Sequence, residues 1–162
     1  MGKTKQSGPT TAGGVRVLVR NRRAFYDYEI DERLEAGIAL VGSEVKSLRE
    51  AKASLGEGYV EIRKGEAYLV GARVNEYPWA NQFNHDPMRV RKLLLHRDEL
   101  RRLEAKTTLR GYTLVPLAVY LKNGKIKLEI GVARGKKKYE KRESKKEAEA
   151  SREIQQALRR RR

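Results

Sequence analysis

The positive charge of this chain is concentrated at its two ends. Residues 1–24 carry six Lys or Arg and no acidic residue, and residues 136–162 carry twelve basic and five acidic residues. Residues 25–135 have nineteen basic and sixteen acidic side chains, so this middle segment contributes only +3 of the formal +16. A nearly neutral middle between polycationic ends predicts a compact body with basic arms, of the kind that lie along a polyanion such as nucleic acid.

Length and composition limit the body to one small domain. A chain of 162 residues with 39% hydrophobic content suffices for one domain with a modest core. The chain has no Cys, which excludes disulfides and thiolate metal ligands and leads us to expect a cytoplasmic location. Its longest apolar runs, such as residues 114–121, are far shorter than the roughly 20 residues of a membrane span, so we expect no membrane partner.

Short alternations of apolar and polar residues predict a body made mainly of β-strands. The predicted strands are residues 25–34, 37–41, 59–63, 67–70, 89–96, 112–121 and 125–132. The strongest turn signal is Lys122-Asn123-Gly124, which predicts a hairpin between the last two strands, and Lys64-Gly65-Glu66 predicts another. Residues 75–88 are rich in Asn and Pro and lack any period, so they are predicted to form a loop.

Two short helices complete the predicted body. Ser43 is the candidate N-cap of a helix over residues 44–49, and acidic residues precede basic ones in a second helix over residues 98–103. About six short strands with two short helices suit a closed sheet, because closure removes exposed edges. The expected fold class is therefore mainly β with short helices, in a small closed OB-fold-like barrel of about six strands.

Three parts of the chain are expected to behave differently. Residues 1–20 are predicted to be a flexible basic arm, since Pro9 and Gly13-Gly14 oppose the amphipathic helix of an organellar targeting peptide. Residues 21–135 form the predicted barrel. Residues 136–162 form a basic tail whose small apolar stripe cannot offset its ordering entropy, so we expect it to be disordered alone and helical on a negatively charged surface.

Candidate catalytic groups are few and poorly placed. His85 and His96 lie eleven residues apart without a third partner at a metal-ligand spacing, and Gly56-x-Gly58 alone is a weak phosphate-binding signal. The acidic pairs at residues 31–32 and 98–99 could hold Mg²⁺ in a nuclease, but such pairs are typical of solvated faces and helix starts. We therefore expect no enzyme, metal or cofactor, and the alternatives are a specific RNA binder or a general RNA chaperone.

Several segments, in order and at matching spacing, resemble the small protein B (SmpB) family of transfer-messenger RNA-binding proteins. They are residues 21–24 (NRRA), 35–40 (EAGIAL), 42–49 (GSEVKSLR), 91–95 (RKLLL) and 130–137 (IGVARGKK). The resemblance implies an oligonucleotide-binding-type barrel without catalytic activity. It implies a bacterial cytoplasmic protein that holds the tRNA-like domain of transfer-messenger RNA and delivers it, with elongation factor Tu, to stalled ribosomes for trans-translation.

The resemblance also implies which residues of the body contact the tRNA-like domain. They are Asn21, Arg22, Arg23, Glu35, Leu94 and His96, the last standing where the family has Asn. A carboxylate such as Glu35 repels phosphate, so it suits a base amino group or a ribose 2′-hydroxyl, unless it is only a surface ion-pair partner of Arg33 or Arg49. Because neighbouring strand residues alternate between faces, Leu94 must point away from the face shared by Leu93 and Leu95.

In the tail, the resemblance implies contacts with small-subunit ribosomal RNA at the decoding site and in the empty messenger channel. The implied residues are Arg134, Lys136, Lys137, Tyr139, Glu140, Lys141, Arg142 and Ile154. Tyr139, flanked by lysines, could stack on an exposed base, or it could pack back on the barrel. Ile154 matches an apolar family position that anchors the tail helix, whereas Gln155 stands where a larger apolar residue is expected.

Overall fold

The computed structural model describes residues 14–80, 84–109 and 111–161, with the backbone alone for Lys138 and Tyr139. Within these residues the chain forms nine strands and four helices. The strands are β1 (Val15–Arg20), β2 (Tyr28–Ile38), β3 (Ala53–Ser54), β4 (Tyr59–Arg63), β5 (Glu66–Val70), β6 (Arg73–Val74), β7 (Arg91–Leu94), β8 (Tyr112–Lys122) and β9 (Lys125–Gly135). The helices are α1 (Arg22–Asp27), α2 (Gly42–Arg49), α3 (Arg97–Thr107) and α4 (Lys138–Arg160).

Six antiparallel strands close into a ring, in the order β4, β5, β7, β2, β9, β8 and back to β4. Strand β8 makes this closure possible because it pairs with β9 along its length. Its other edge pairs with β4 at Leu114 and with β1 over residues 118–122. Strands β3 and β6 form a separate two-stranded ladder. The predicted fold class, mainly β with short helices and a closed sheet, is confirmed.

One apolar cluster joins all six strands of the ring to the helices packed on it. Its fully buried members include Leu69, Leu93, Leu114, Leu128 and Ile130 from the strands, and Leu48 of α2 and Leu103 of α3. A second, smaller cluster consists of Ala24, Val115, Leu117 and Ala133, so β8 and β9 bury side chains on both faces where α1 covers them. No helix among the described residues is long and apolar enough to cross a bilayer.

The two hairpin predictions are confirmed. Strands β4 and β5 turn at Lys64 and Gly65, with φ of 49° and 73°, and β8 and β9 turn at Asn123 and Gly124, with φ of 50° and 75°. Positive φ at both central residues matches the twist of the flanking strands. The predicted loop over residues 75–88 is also free of helix and of strand within its described residues.

The structure differs from the prediction at residues 25–41. Phe25 lies in helix α1, because Asn21 accepts a hydrogen bond from the Ala24 backbone N–H at 3.2 Å and so caps a helix that the strand-like alternation obscured. Strand β2 then runs unbroken through Gly37, where two strands were predicted. A Cβ on Gly37 would stand 3.1 Å from the Cβ of Leu94, so glycine allows close approach here and does not end the strand.

Three other boundaries differ from the prediction. Residues 15–20, assigned to the flexible N-terminal arm, form β1 and pair with β8, since Val15, Val17 and Val19 alternate as in a strand. The rest of that arm, residues 1–13, lies outside the described residues. Helix α3 extends to Thr107, and β7 is only four residues long. Before β7 the Arg89 backbone N–H closes a turn on the Asp86 carbonyl at 3.1 Å, and after it His96 occupies the N-cap position of α3.

A buried ionic group attaches α2 to β7. Glu44 and Arg91 are both fully buried and ion-paired, and Arg89 also donates to the Glu44 carboxylate. The Val41 backbone N–H donates to Glu44 at 2.9 Å, so Val41 and not Ser43 occupies the N-cap position. Burial raises the pKa of Glu44, but the hydrogen bonds from Arg89, Val41 and Arg91 outweigh it and hold the pKa below its usual value.

We predict that Glu44→Gln destabilises the fold by about 3–5 kcal/mol, because it leaves the buried Arg91 cation without its counter-charge. Urea unfolding at neutral pH measures this change in the free energy of unfolding. The matched control is Glu66→Gln, which removes an exposed ion pair with Lys92 at 3.0 Å and should cost less than about 1 kcal/mol. Equal losses for the two variants would contradict the structural role of Glu44.

Candidate nucleic-acid interface

Three of the predicted RNA-contact residues line one cleft of about 450 Å³ on the outer surface of the ring. They come from different segments: Glu35 from β2, Leu94 from the end of β7, and His96 from the residue that precedes α3. The register of β2 and β7 places Gly37 opposite Leu94, which brings these segments together. The other lining residues are Leu34, Gly37, Leu95, Glu99 and Lys127.

Leu94 presents an apolar surface to this cleft. Its side chain is 55% exposed, whereas that of Leu93 is 2% exposed and packs in the core. The prediction from strand parity is therefore confirmed for this pair. Because Gly37 has no side chain, the neighbouring strand leaves the face of Leu94 open, and a base or a ribose can lie against it.

Glu35 is held as a charged hydrogen-bond acceptor. Its carboxylate accepts from the Tyr120 hydroxyl and from Lys122 Nζ at 3.2 Å. Its partners are therefore not the Arg33 or Arg49 considered from the sequence, and Arg33 donates instead to Glu129 at 3.3 Å. The hydrogen bond from Tyr120 lowers the pKa of Glu35, with help from Lys122 and against a smaller opposing effect of burial.

His96 stands at the N-cap of α3 with an exposed imidazole. Its carbonyl accepts from the Leu100 backbone N–H at 3.0 Å, but its side chain does not cap the helix. Within the described part of the chain the ring has no hydrogen-bond partner, so either ring nitrogen is open to an RNA group. The imidazole can therefore both donate and accept, as the amide of Asn would.

The structure adds basic residues that the sequence reasoning missed. Lys127 lines the cleft and lies opposite Gly37 in the β2–β9 register, and Lys122 reaches Glu35 from the end of β8. The sequence of β9 could have identified Lys127. Lys125, Lys127 and Glu129 alternate with apolar residues there, so they share the outer face of the ring. The cleft thus combines two carboxylates, Glu35 and Glu99, with the ammonium group of Lys127, and Lys122 lies next to Glu35.

Residues 21–23 lie outside this cleft. The Asn21 side chain is buried and donates to the Pro116 carbonyl at 2.8 Å and to the Leu55 carbonyl at 3.3 Å, so its amide belongs to the fold. Arg22 and Arg23 are exposed on α1. Arg23 forms ion pairs with Asp27 at 3.3 Å and Glu57 at 2.6 Å, whereas Arg22 has no ion pair within the described residues and can meet an external phosphate.

The predicted tail residues nearest the ring are fixed against it. Arg134, the penultimate residue of β9, forms ion pairs with Glu29 and Asp31, each at 3.4 Å. Lys136 donates through its backbone N–H to the Asp27 carbonyl at 2.9 Å and through Nζ to Phe25 O and to Ser144 Oγ, both at 3.0 Å. The first turn of α4 therefore begins from a defined position beside α1.

Beyond this base, α4 projects from the body. Its N-terminal end is closed by Glu140, which accepts from the Lys137 backbone N–H at 3.2 Å, and Lys141 lies 3.6 Å from Asp27. Arg142 is exposed, as are all residues from 145 to 161, and the predicted anchor Ile154 is 61% exposed. The side chain of the predicted stacking residue, Tyr139, lies outside the described part. Disorder of the separated tail stays a prediction.

A closed ring of strands, a surface cleft with open hydrogen-bonding groups and a projecting basic helix define a small β-type RNA-binding protein. The model of the SmpB protein family matches residues 18–160. The chain therefore belongs to the SmpB family, as its motifs predicted, and this is a family of RNA-binding proteins and not of enzymes.

Related proteins are similar in sequence to this chain over nearly its whole length. The SsrA-binding protein of Syntrophobacter fumaroxidans is 49% identical over 154 residues, which are 95% of this chain and 96% of the relative. That of Thermobifida fusca is 50% identical over 92% of this chain and 93% of the relative. A chain of the solved structure "tmRNA-SmpB: a journey to the center of the bacterial ribosome" is 49% identical, with a TM-score of 0.64 over 74% of this chain and 85% of that one.

We predict that Tyr120→Phe raises the pKa of Glu35 toward its usual value, because the variant lacks the hydroxyl that donates to the carboxylate. An NMR titration of the side-chain carboxyl carbon measures this pKa. The matched control is Tyr68→Phe, which removes the hydroxyl that donates to Glu66 at 2.7 Å and should leave Glu35 unchanged. An unaltered pKa of Glu35 in Tyr120→Phe would contradict the assigned role of the hydroxyl.

Proposed function

We propose that this chain binds the tRNA-like domain of transfer-messenger RNA in the cleft of Glu35, Leu94 and His96 and brings it to stalled ribosomes. The observation that carries the proposal is the convergence of these three residues from separate segments in one open cleft. The SsrA-binding relatives and the similarity to the SmpB chain of the tmRNA–ribosome structure support it. The RNA then enters trans-translation, which tags incomplete proteins.

The chemistry of the cleft suits a folded RNA better than a bare polyanion. Glu35, kept ionised, accepts from a base amino group or a 2′-hydroxyl, and either contact reports base identity or sugar type and not phosphate charge. Leu94 supplies apolar contact beside it, and His96 supplies a donor or an acceptor. Lys127 neutralises a nearby phosphate, so affinity and selectivity come from different groups in the same cleft.

The tail has a separate role in this proposal. Arg134, Lys136 and Lys137 contact small-subunit ribosomal RNA, Tyr139 stacks there, and the helix that follows occupies the empty messenger channel with Ile154 as an apolar anchor. Glu140, Lys141 and Arg142 belong to the same segment. Elongation factor Tu joins through the aminoacylated RNA and not through this chain. All of these partners belong to the bacterial cytoplasm, where we place the protein.

On this basis we predict that Glu35→Ala weakens binding of the tRNA-like domain by about 10- to 100-fold, the cost of one charge-assisted hydrogen bond. An electrophoretic mobility shift with transfer-messenger RNA, at physiological salt and with excess unrelated tRNA, measures it. Glu66→Ala, at an exposed carboxylate outside the cleft, is the control and should bind as the unmodified chain does. If excess unrelated tRNA displaces transfer-messenger RNA from the unmodified chain, binding is a non-specific attraction of the charged ends to polyanions. The general RNA-chaperone function then applies instead.

A chain ending at Gly135 is expected to keep its competitor-resistant binding of the tRNA-like domain largely intact and to lose tagging activity. The ring is complete at this point because β9 ends at Gly135, and every cleft residue precedes it. The same mobility shift measures binding, and a reconstituted translation reaction stalled on a truncated message measures tagging. Loss of specific RNA binding by a truncated chain that is folded by circular dichroism would refute the separation of the two roles.

A further inference from the structure

The only tryptophan of the chain is exposed to solvent. Trp79 is 79% exposed, the largest value among the exposed large apolar side chains of the described residues. It is not part of the cleft or of the tail. Tryptophan is highly buried on average in folded proteins, and an exposed indole supplies a large flat surface that binding can cover. Its surroundings therefore indicate what it could contact.

The backbone presents Trp79 on a fixed turn. The Ala80 backbone N–H donates to the Tyr77 carbonyl at 3.1 Å, which closes a four-residue turn with Pro78 and Trp79 at its centre. The Asn84 side chain holds both polar groups of Tyr77: its oxygen accepts from the Tyr77 N–H at 3.2 Å, and its amide donates to the Tyr77 carbonyl at 2.8 Å. The indole is thus carried by a preorganised segment, which reduces the entropy lost on binding.

The same loop is fastened to α2. The His85 ring is buried and donates through Nε2 to the Val74 carbonyl at 2.9 Å, which leaves Nδ1 to accept from the Ser43 hydroxyl at 2.8 Å. The Asn75 backbone N–H donates to the Lys52 carbonyl at 3.0 Å, just beyond the end of α2. These contacts fix the position of the loop relative to the start of α2 and to the residues that follow its end.

That half of α2 is positively charged. Lys46 Nζ lies 5.4 Å from the centre of the Tyr77 ring, a cation–π distance, and Arg49 is exposed in the same last turn. Neither cation has an ion pair within the described residues, and the nearby Glu50 is already paired with Lys52 at 3.3 Å. Flat aromatic surface beside unpaired cations is the combination that binds unpaired nucleotides, with bases stacked and phosphates neutralised.

We propose that the turn from Tyr77 to Ala80, with Lys46 and Arg49, is a second RNA-contact surface on which an unpaired nucleotide of ribosomal RNA stacks against Trp79. The identity of the RNA rests on the function proposed above. Transfer-messenger RNA occupies the cleft of β2, β7, β9 and α3, and the surface on α2 and the following loop shares no residue with that cleft. This second surface can therefore bind ribosomal RNA while transfer-messenger RNA occupies the cleft.

Trp79 itself reports on this surface, since no other tryptophan contributes to the fluorescence of the chain. An eight-nucleotide single-stranded RNA is expected to quench its emission, and the same strand annealed to its complement is expected to quench it far less. Glu35→Ala should keep this quenching, so failure of the cleft and failure of this surface are distinguishable. Absence of quenching, or equal quenching by the duplex, would overturn the proposal.

A second experiment identifies which RNA binds this surface. Complexes of transfer-messenger RNA with the full chain, or with its Trp79→Ala, Trp79→Phe or Leu109→Ala variant, are titrated with purified ribosomes. Trp79→Ala is expected to lower the ribosome affinity by about 5- to 100-fold, and Trp79→Phe, which keeps a stacking ring, by much less. Leu109→Ala removes a comparably exposed apolar side chain and should have no effect. An unchanged ribosome affinity for Trp79→Ala, or an equal loss in binding to transfer-messenger RNA alone, would overturn the proposal.

Discussion

Both proposed RNA-contact surfaces depend on the buried ion pair of Glu44 and Arg91. Arg91 begins β7, the strand whose other end presents Leu94, and it also donates to the carbonyls of Ala72 and Pro87 at 3.1 and 3.3 Å. Glu44 belongs to α2, which carries the cations beside the exposed aromatic turn. One carboxylate therefore positions a strand, a helix and a long loop together. Because two buried charges are stable only when paired, this group admits few alternative arrangements.

Ring closure determines how the outer surface is used. Strand β8 pairs with β9 on one edge and with β4 and β1 on the other, so the sheet has no open seam at this position. Every strand of the ring must then send one set of side chains inward and the other outward. Leu93 and Leu94 show the consequence, since adjacent leucines serve the core and the surface respectively.

Local patterns were enough to predict the hairpins, the closed mainly β fold and the outward direction of Leu94, because turn chemistry and strand parity act over a few residues. Helix α1 was missed because its start depends on Asn21, whose side chain also bonds to the carbonyls of Pro116 and Leu55, far away in sequence. The same holds for Glu35, whose partners Tyr120 and Lys122 come from another strand. Their roles arise from tertiary contacts that no local pattern contains.

The charge distribution and the cleft address different requirements of RNA binding. The basic ends raise affinity for any RNA, and each phosphate they neutralise steepens the salt dependence by about 0.7 to 0.9 in log–log slope without adding selectivity. In the proposed function Glu35 has the opposite effect, because a carboxylate repels phosphate and binds only an RNA group that donates a hydrogen bond to it. Hydrogen bonds from Tyr120 and Lys122 hold the Glu35 carboxylate in place and lower its pKa, whereas the basic arms raise the affinity for any RNA that is bound.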